Sequence, residues 1–326
     1  IGVGEHKDLL KSIALDIELH SEDKGNTVLI KQADASWDSL RLGLSGSTTV
    51  THTGVEKMAE NSYDLVLTVA ADRQQFARGL IAWDVDGKAT LKGDGQAAPE
   101  LAIEELGGKL GKGHITVNGT AQIADFRLPY LAHNAMDITV VADRAELALR
   151  GLVEGVLEGK ISIAGPGDGT PAQIAGAYSL SHGRLGWPTG GDDQGELHAP
   201  GSRYPKPRLD VRLALGPDMQ LVGPGIVAPL QPTSRAAHVH GTLQMPVIEG
   251  VVEAQRGRTQ VPGGVAIIKA MKVQYRLARK LEAIRREPVV LELTGDISGQ
   301  AETIVRSASV HGRDIGSVLI EMKLSG

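Results

Sequence analysis

The sequence predicts an all-β protein, an elongated sheet of about 20 short strands with at most one or two short helices. Three observations carry this. Apolar and polar residues alternate from one end of the chain to the other, the pattern of strands with one buried face. The 41 glycines supply turns and bulges at short intervals. Only 3 Trp, 5 Tyr and 2 Phe are available among 326 residues, so the interior is aliphatic.

The alternation names the strands in order. "SIALDIELH" sets Ile13, Leu15, Ile17 and Leu19 on one side with Asp16 and Glu18 opposite, and "SLRLGLSG" repeats this with Leu40, Leu42 and Leu44. "YDLVLTVA", "LIAWDVDG" and "HITVNGTAQI" follow, then "KISIAG" with Ile161 and Ile163. The later half continues with "RLDVRLALG" (Leu209, Val211, Leu213, Leu215), "HVHGTLQM" (Val239, Leu243, Met245), "VVLELTG" (Leu291, Leu293) and "SVLIEMKL". Helical periodicity is rare. It is best in "YRLARKLEAIRRE", where Leu277, Leu281 and Ile284 follow a spacing of four then three; Val273, Tyr275 and Leu277 also alternate, so a strand entering a helix fits equally. "AAPELAIEELGGKLG" (97–111) is a second, weaker helix, acidic near its start and closed by Gly.

One spacing recurs. "GAYSLSHGRLGWP" (Gly176 to Pro188) and "GVVEAQRGRTQVP" (Gly250 to Pro262) both read Gly, six residues, Gly-Arg, three residues, Pro. A catalytic site is normally built once, so a repeated spacing describes chain shape: a strand, a turn or bulge at Gly-Arg, and an edge or bend at Pro. "VNGTAQI" (Val117 to Ile123) echoes "VHGTLQM" (Val239 to Met245). Such self-similarity marks an array in which each unit buries its apolar face with its neighbours' help.

Composition excludes some functions. With 34 Lys+Arg against 39 Asp+Glu the formal net charge is −5, so no global basic field draws the chain to nucleic acid or to an anionic membrane surface. The absence of Cys excludes disulfides and thiolate metal sites without naming a compartment. The start at Ile1, with no charged n-region and apolar core behind it, reads as an excised fragment or processed product. No stretch approaches about 18 consecutive apolar residues, so any membrane anchor is expected outside this piece.

"G-T-x-x-x-P-x-x-x-G", as in Gly241-Thr242 through Pro246 to Gly250, followed by Gly-Arg, resembles the C-terminal region of the TamB family of translocation and assembly proteins, part of the wider AsmA-like group. "DMQLVGPGIVAPLQ" (Asp218 to Gln231) resembles the strand and turn that precede "G-T" there. Residues 145–326 carry most of the resemblance; residues 1–144 are a continuous β-rich repeat region that shares the alternation and few of the phrases. Pro232, Ser234, the near-helical stretch at 276–287 and the long polar insertion "LGWPTGGDDQGELHAPGSRYPKP", a loop over one rim, depart from the pattern. The resemblance implies a strongly curved antiparallel sheet open along one side, with an aliphatic concave face. It further implies a periplasmic location with an inner-membrane anchor, with relatives in plastid envelopes, an Omp85-class outer-membrane barrel as partner, and a role in outer-membrane protein assembly or phospholipid movement.

Physical chemistry frames the same choice without the family. About 20 strands spaced at about 4.8 Å extend roughly 95 Å if they lie across the long axis. Two short helices cannot roof such a sheet, so it either closes on itself, as a sandwich or collapsed barrel with an ordinary packed core, or leaves an apolar face for a ligand. An acyl chain entering such a groove from water gains about 0.8 kcal/mol per CH₂, about 12 kcal/mol for sixteen carbons as an upper limit. The expected lipid-binding residues are Ile161, Ile163, Leu209, Val211, Leu213, Leu215, Val239, Leu243, Met245, Leu291 and Leu293. Two other classes stand beside lipid guidance: an edge strand that pairs with nascent outer-membrane barrel strands, and a closed β-solenoid adhesin.

Other local features point elsewhere only weakly. His238 and His240 share a strand face, with Val239 inward between them; no third ligand is placed by spacing, so they read as solvated histidines and no metal or cofactor is expected. "GGKLGKGH" lacks the phosphate-loop spacing, leaving Lys109 and Lys112 as a charged turn, and "GPGDG" (165–169) is a turn. Asn118 to Thr120 forms a glycosylation sequon, without meaning in a bacterial source. No catalytic triad, carboxylate pair or nucleophile elbow stands out, so no enzyme is expected.

Overall fold

The computed structural model describes residues 12–22, 25–37, 40–51, 61–77, 80–124, 132–149, 153–186, 206–223, 225–242, 245–261, 264–279, 291–305, 309–310, 313–314 and 318–325. Among them there is no α-helix. Nearly all belong to one 18-stranded sheet, with a separate two-stranded ribbon.

The first ten strands form an antiparallel meander in chain order: β1 (Ser12–Glu22), β2 (Gly25–Trp37), β3 (Leu40–Thr51), β4 (Ser62–Ala77), β5 (Leu80–Asp94), β6 (Glu100–Leu110), β7 (Gly113–Gln122), β8 (Ala135–Leu149), β9 (Val153–Pro166) and β10 (Gln173–Gly186). The order then changes. β10 pairs parallel with β11 (Arg208–Leu215) along one half and with β12 (Met219–Gly223) along the other. β11 leads to β14 (Thr233–Thr242), and β12 to β13 (Ile226–Pro229). Both routes meet on β15 (Pro246–Val261), which continues through β16 (Gly264–Arg279) and β17 (Leu291–Val305) to β20 (Val318–Ser325). β18 (Ser309–Val310) and β19 (Arg313–Asp314) make the ribbon.

The expected all-β sheet is thus present and mostly antiparallel, and its pairing turns parallel only where β10 meets β11 and β12. The connection between β10 and β11 is long enough to return the chain to the end it left, which a parallel neighbour requires and a tight turn forbids. One correction concerns 97–111, whose helical spacing is produced by a bulge. β6 is bonded on both sides, to β5 and β7, and its register shifts between Ile103 and Leu106. One extra residue turns the strand spacing of two into three, which imitates a helix turn. Around 276–287 the backbone is strand to Arg279, paired with both β15 and β17; 280–287 lies outside the described residues.

The Gly-Arg pairs of the repeat are bulges inside continuous strands. His182 (φ 51°) and Arg256 (φ 59°), each just before its Gly-Arg, are left-handed, as are Asp84 (φ 49°) in β5 and Arg144 (φ 50°) in β8. Each lies at a skip or shift in the pairing, where a bulge bends the strand and adds twist. Along this line of bends the sheet buries its own side chains. One cluster joins Ala71, Ala82, Val85, Leu110, Ala142 and Ala145; the other includes Leu180, Leu215, Met219, Ala254, Ile268 and Met271. Leu157 packs against both, so the core is a continuous seam. Small residues dominate the first cluster because a tight bend leaves little room. The sheet does not close: among the described residues β1 pairs only with β2, and β20 only with β17. Accessible surface is 21258 Å², against about 13,000 Å² for a compact protein of this mass.

Candidate functional site

Register places the aliphatic residues in rows that cross the sheet. One row begins at Leu15 on β1, runs through Ala33, Leu44, Leu67, Ala89 and Ile103 to Gly119, and continues by Ile138, Ile163, Ile174 and Leu209 to Gly241 on β14. The next row begins at Ile13 and reaches Leu106, Val117, Val140, Ile161, Gly176, Val211, Val239 and Ile248. These rows share a face because strand side chains alternate with period two and pairing preserves the phase. The echo "VNGT" and "VHGT" acquires a physical meaning here: Val117 and Val239 stand in one row, Gly119 and Gly241 in the other.

Exposure is graded across this face. Ile161, Ile163, Leu209, Val211, Leu213 and Val239 are half-buried, as are Ile138, Val140, Ile174 and Ile248 beside them. Toward the line of bends the face becomes core: Leu215 is 3% exposed and Leu180 1%. At the β1 end it opens outward, with Ile13 64% and Leu19 75% exposed. The face therefore has a packed seam and an apolar flank that the protein's own side chains only half cover.

Of the expected residues, Ile161, Ile163, Leu209, Val211, Leu213 and Val239 are brought together on adjoining strands. Leu215 shares their side but belongs to the core. The strand expected over 238–245 is corrected: β14 ends at Thr242, and Met245 lies in the hairpin turn, its amide donating to the Thr242 carbonyl and its carbonyl accepting from the Thr242 amide. Leu243 lies outside the described residues. Leu291 and Leu293 are paired backbone positions of β17, opposite Arg279 and Leu277. Sequence reasoning missed Ile138, Val140, Ile174 and Ile248, although "AMDITVV" carries the alternation in plain form.

Two tyrosines shape the floor. Tyr178 stands opposite Gly159, and Tyr275 opposite Gly250. A Cβ at Gly159, where φ is 144°, would come within 2.8 Å of the Tyr178 ring. The ring thus occupies the space above the glycine, and its hydroxyl reaches to 3.5 Å from the Val140 carbonyl. The Tyr275 hydroxyl donates to the Ala236 carbonyl at 2.5 Å, and burial pushes its pKa up to about 12.

The opposite face is polar and wet. Cross-strand ion pairs there include Lys88 with Glu104 at 2.9 Å, Lys109 with Asp84 at 2.7 Å, and Lys31 with Glu18. Arg184 grips Glu154 with two bonds of 2.7 and 2.8 Å, and this contact holds the Glu154 carboxyl below its usual range. Lys109 is thus a strand residue, while Lys112 sits in the two-residue turn between β6 and β7. A cavity of about 930 Å³ opens where β14 leaves β15 beyond the His238–Glu249 pair; its lining includes Arg212, Arg235, His238, Glu249 and Arg276.

Neither protein-family models, nor curated proteins, nor solved structures give a match to this chain. The resemblance to the TamB family rests on the phrases quoted above.

Proposed function

We propose that the half-buried aliphatic face binds the acyl chains of amphipathic molecules, phospholipids above all, and guides them along the sheet. The carrying observation is the pair of in-register apolar rows, continuous from β1 to β14 and half-exposed from Ile138 to Val239. Aliphatic walls accept varied chains with little shape selection, whereas rings would favour one fit. A headgroup would remain in water beyond the flank. In this reading the chain belongs to a periplasmic protein anchored in the inner membrane outside this segment, working with an Omp85-class barrel in outer-membrane biogenesis, as the TamB-like phrases imply.

The test is the lipid content of the purified chain. Protein prepared in mild detergent carries phospholipid by mass spectrometry, and photocrosslinkers at Ile163 or Val211 capture lipid. Leu213→Arg and Ile163→Glu place a charge on the face, abolish capture and keep the β-sheet circular dichroism. Equal lipid capture by both variants sinks the reading.

A second reading has its own support at β1. This strand has a free edge among the described residues, with large aliphatics exposed along one face, the geometry that accepts an added strand from a nascent barrel protein. Photocrosslinking from the β1 edge to polypeptide, with none to lipid from Ile163, favours it over the first.

A further inference from the structure

On the polar face, opposite Val239, stands a group of donors unlike the ion pairs elsewhere. His238 and His240 both project from this side of β14, with ring centroids 5.0 Å apart. β11 brings Asp210 opposite His240 and Arg212 opposite His238, while β15 brings Glu249 opposite His238. The side chains cross the register. His238 Nε2 lies 2.8 Å from Asp210 Oδ1, and His240 Nε2 lies 3.4 Å from Glu249 Oε1. That His240 nitrogen is buried and makes no hydrogen bond. One donor atom each from His238, His240 and Glu249 lies within 4.8 Å of the others.

We infer that His238, His240 and Glu249 form a divalent-cation site, suited by its donors to Zn²⁺, with Asp210 orienting His238. Two imidazoles and one carboxylate make a three-ligand set with an open fourth position. Asp210 accepts from Nε2–H of His238, which leaves the Nδ1 lone pair for the metal, the carboxylate–histidine arrangement that fixes a ligand's tautomer. His240 ligates through Nε2. A bare lone pair there would face a carboxylate oxygen, and a cation between the two removes both the repulsion and the unmade bond. Ligands at about 2.0–2.2 Å from one ion sit roughly 3.3 Å apart in a tetrahedron, so the three side chains draw in by about an ångström. They are partly exposed and free to do so.

The cavity beside His238 and Glu249 supplies an entry path and room for water or an anion at the open position. Arg212 next to His238 and Arg276 next to Glu249 offset part of the charge of the two carboxylates. They moderate cation affinity and favour an anionic fourth ligand. The period-two spacing of the histidines carried half of this site; strand order supplied the carboxylates.

The test is calorimetric titration of the chelator-treated 326-residue chain with Zn²⁺ near neutral pH, with visible absorption of the Co²⁺ form as a second readout. One equivalent of Zn²⁺ binds, and the Co²⁺ form shows d–d bands of a low-coordinate site. His240→Ala and Glu249→Gln each weaken binding by more than about tenfold and remove the bands. Asp210→Asn, which keeps every ligand, weakens binding by about ten- to a hundredfold with the bands retained. His182→Ala, whose ring lies 3.0 Å from Asp218 in an otherwise similar exposed pair, changes nothing. Absence of stoichiometric uptake, or uptake untouched by His240→Ala in a variant with native circular dichroism, overturns the inference.

Discussion

The hydroxyl of Tyr275 on β16 donates to the carbonyl of Ala236 on β14, passing over Gly250 of the strand between them. Pairing between β14 and β15 stops at His238 and Glu249, so Ala236 has no ladder partner on β15. The phenol takes that place and holds the edges of the split together.

Tyr275→Phe leaves the Ala236 carbonyl unsatisfied in a buried setting and costs about 1–3 kcal/mol, read from urea unfolding. Hydrogen exchange quickens in β14 before it does in β8.

Ionisation of the same group sets an alkaline limit. With a folded pKa of about 12 against 10.0 for the free phenol, the stabilising preference for neutral Tyr275 is fully present below pH 10 and is lost as pH rises toward 12. Thermal unfolding followed from pH 9 to about 12 falls for the parent protein and falls less for Tyr275→Phe.

Gly250→Ala introduces a Cβ 1.9 Å from the Ala236 oxygen, a backbone atom that cannot swing aside. The split must open or β15 must shift, at a cost above about 2 kcal/mol. Gly107→Ala, whose nearest neighbour would be 3.3 Å away, is tolerated within about 1 kcal/mol in the same denaturation assay.

Arg256 adopts φ 59° at the bulge of β15. Arg256→Gly removes the Cβ penalty of that conformation and raises stability by about 0.5–1 kcal/mol, whereas Arg256→Val lowers it. Matching midpoints for the two variants would contradict the assignment of strain to this position.

The graded exposure of the apolar face gives a graded response. Ile268→Ala, at 0% exposure in the seam, costs about 2–5 kcal/mol; Ile163→Ala on the half-covered flank costs less than half as much. Equal losses in chemical denaturation would mean that the flank is packed as tightly as the seam.

Alternation made most strands legible, since a period of two is a local property of neighbouring residues. Where a bulge inserts one residue, as at Ile103 to Leu106, the local period is false and imitates a helix in place of β6. The repeat at Gly183-Arg184 and Gly257-Arg258 was visible as spacing, and its bends needed only backbone geometry to read. Of the candidate face, Ile161, Ile163, Leu209, Val211, Leu213 and Val239 could be named because each sits within an alternating run. Leu215 and Met245 could not be judged that way: one depends on how deep the bend buries a strand end, the other on where β14 turns.

Residue order alone thus determined the class of structure, the aliphatic character of one face and the phase of each strand, because these follow from side-chain chemistry and backbone sterics within a few residues. Tertiary structure alone decided that β10 would have parallel neighbours, that Ile163 would stand beside Ile174 and Ile174 beside Leu209, and that Asp210 and Glu249 would reach the two histidines of β14. Those are long-range pairings, and their register is chosen by the whole sheet burying its seam at once.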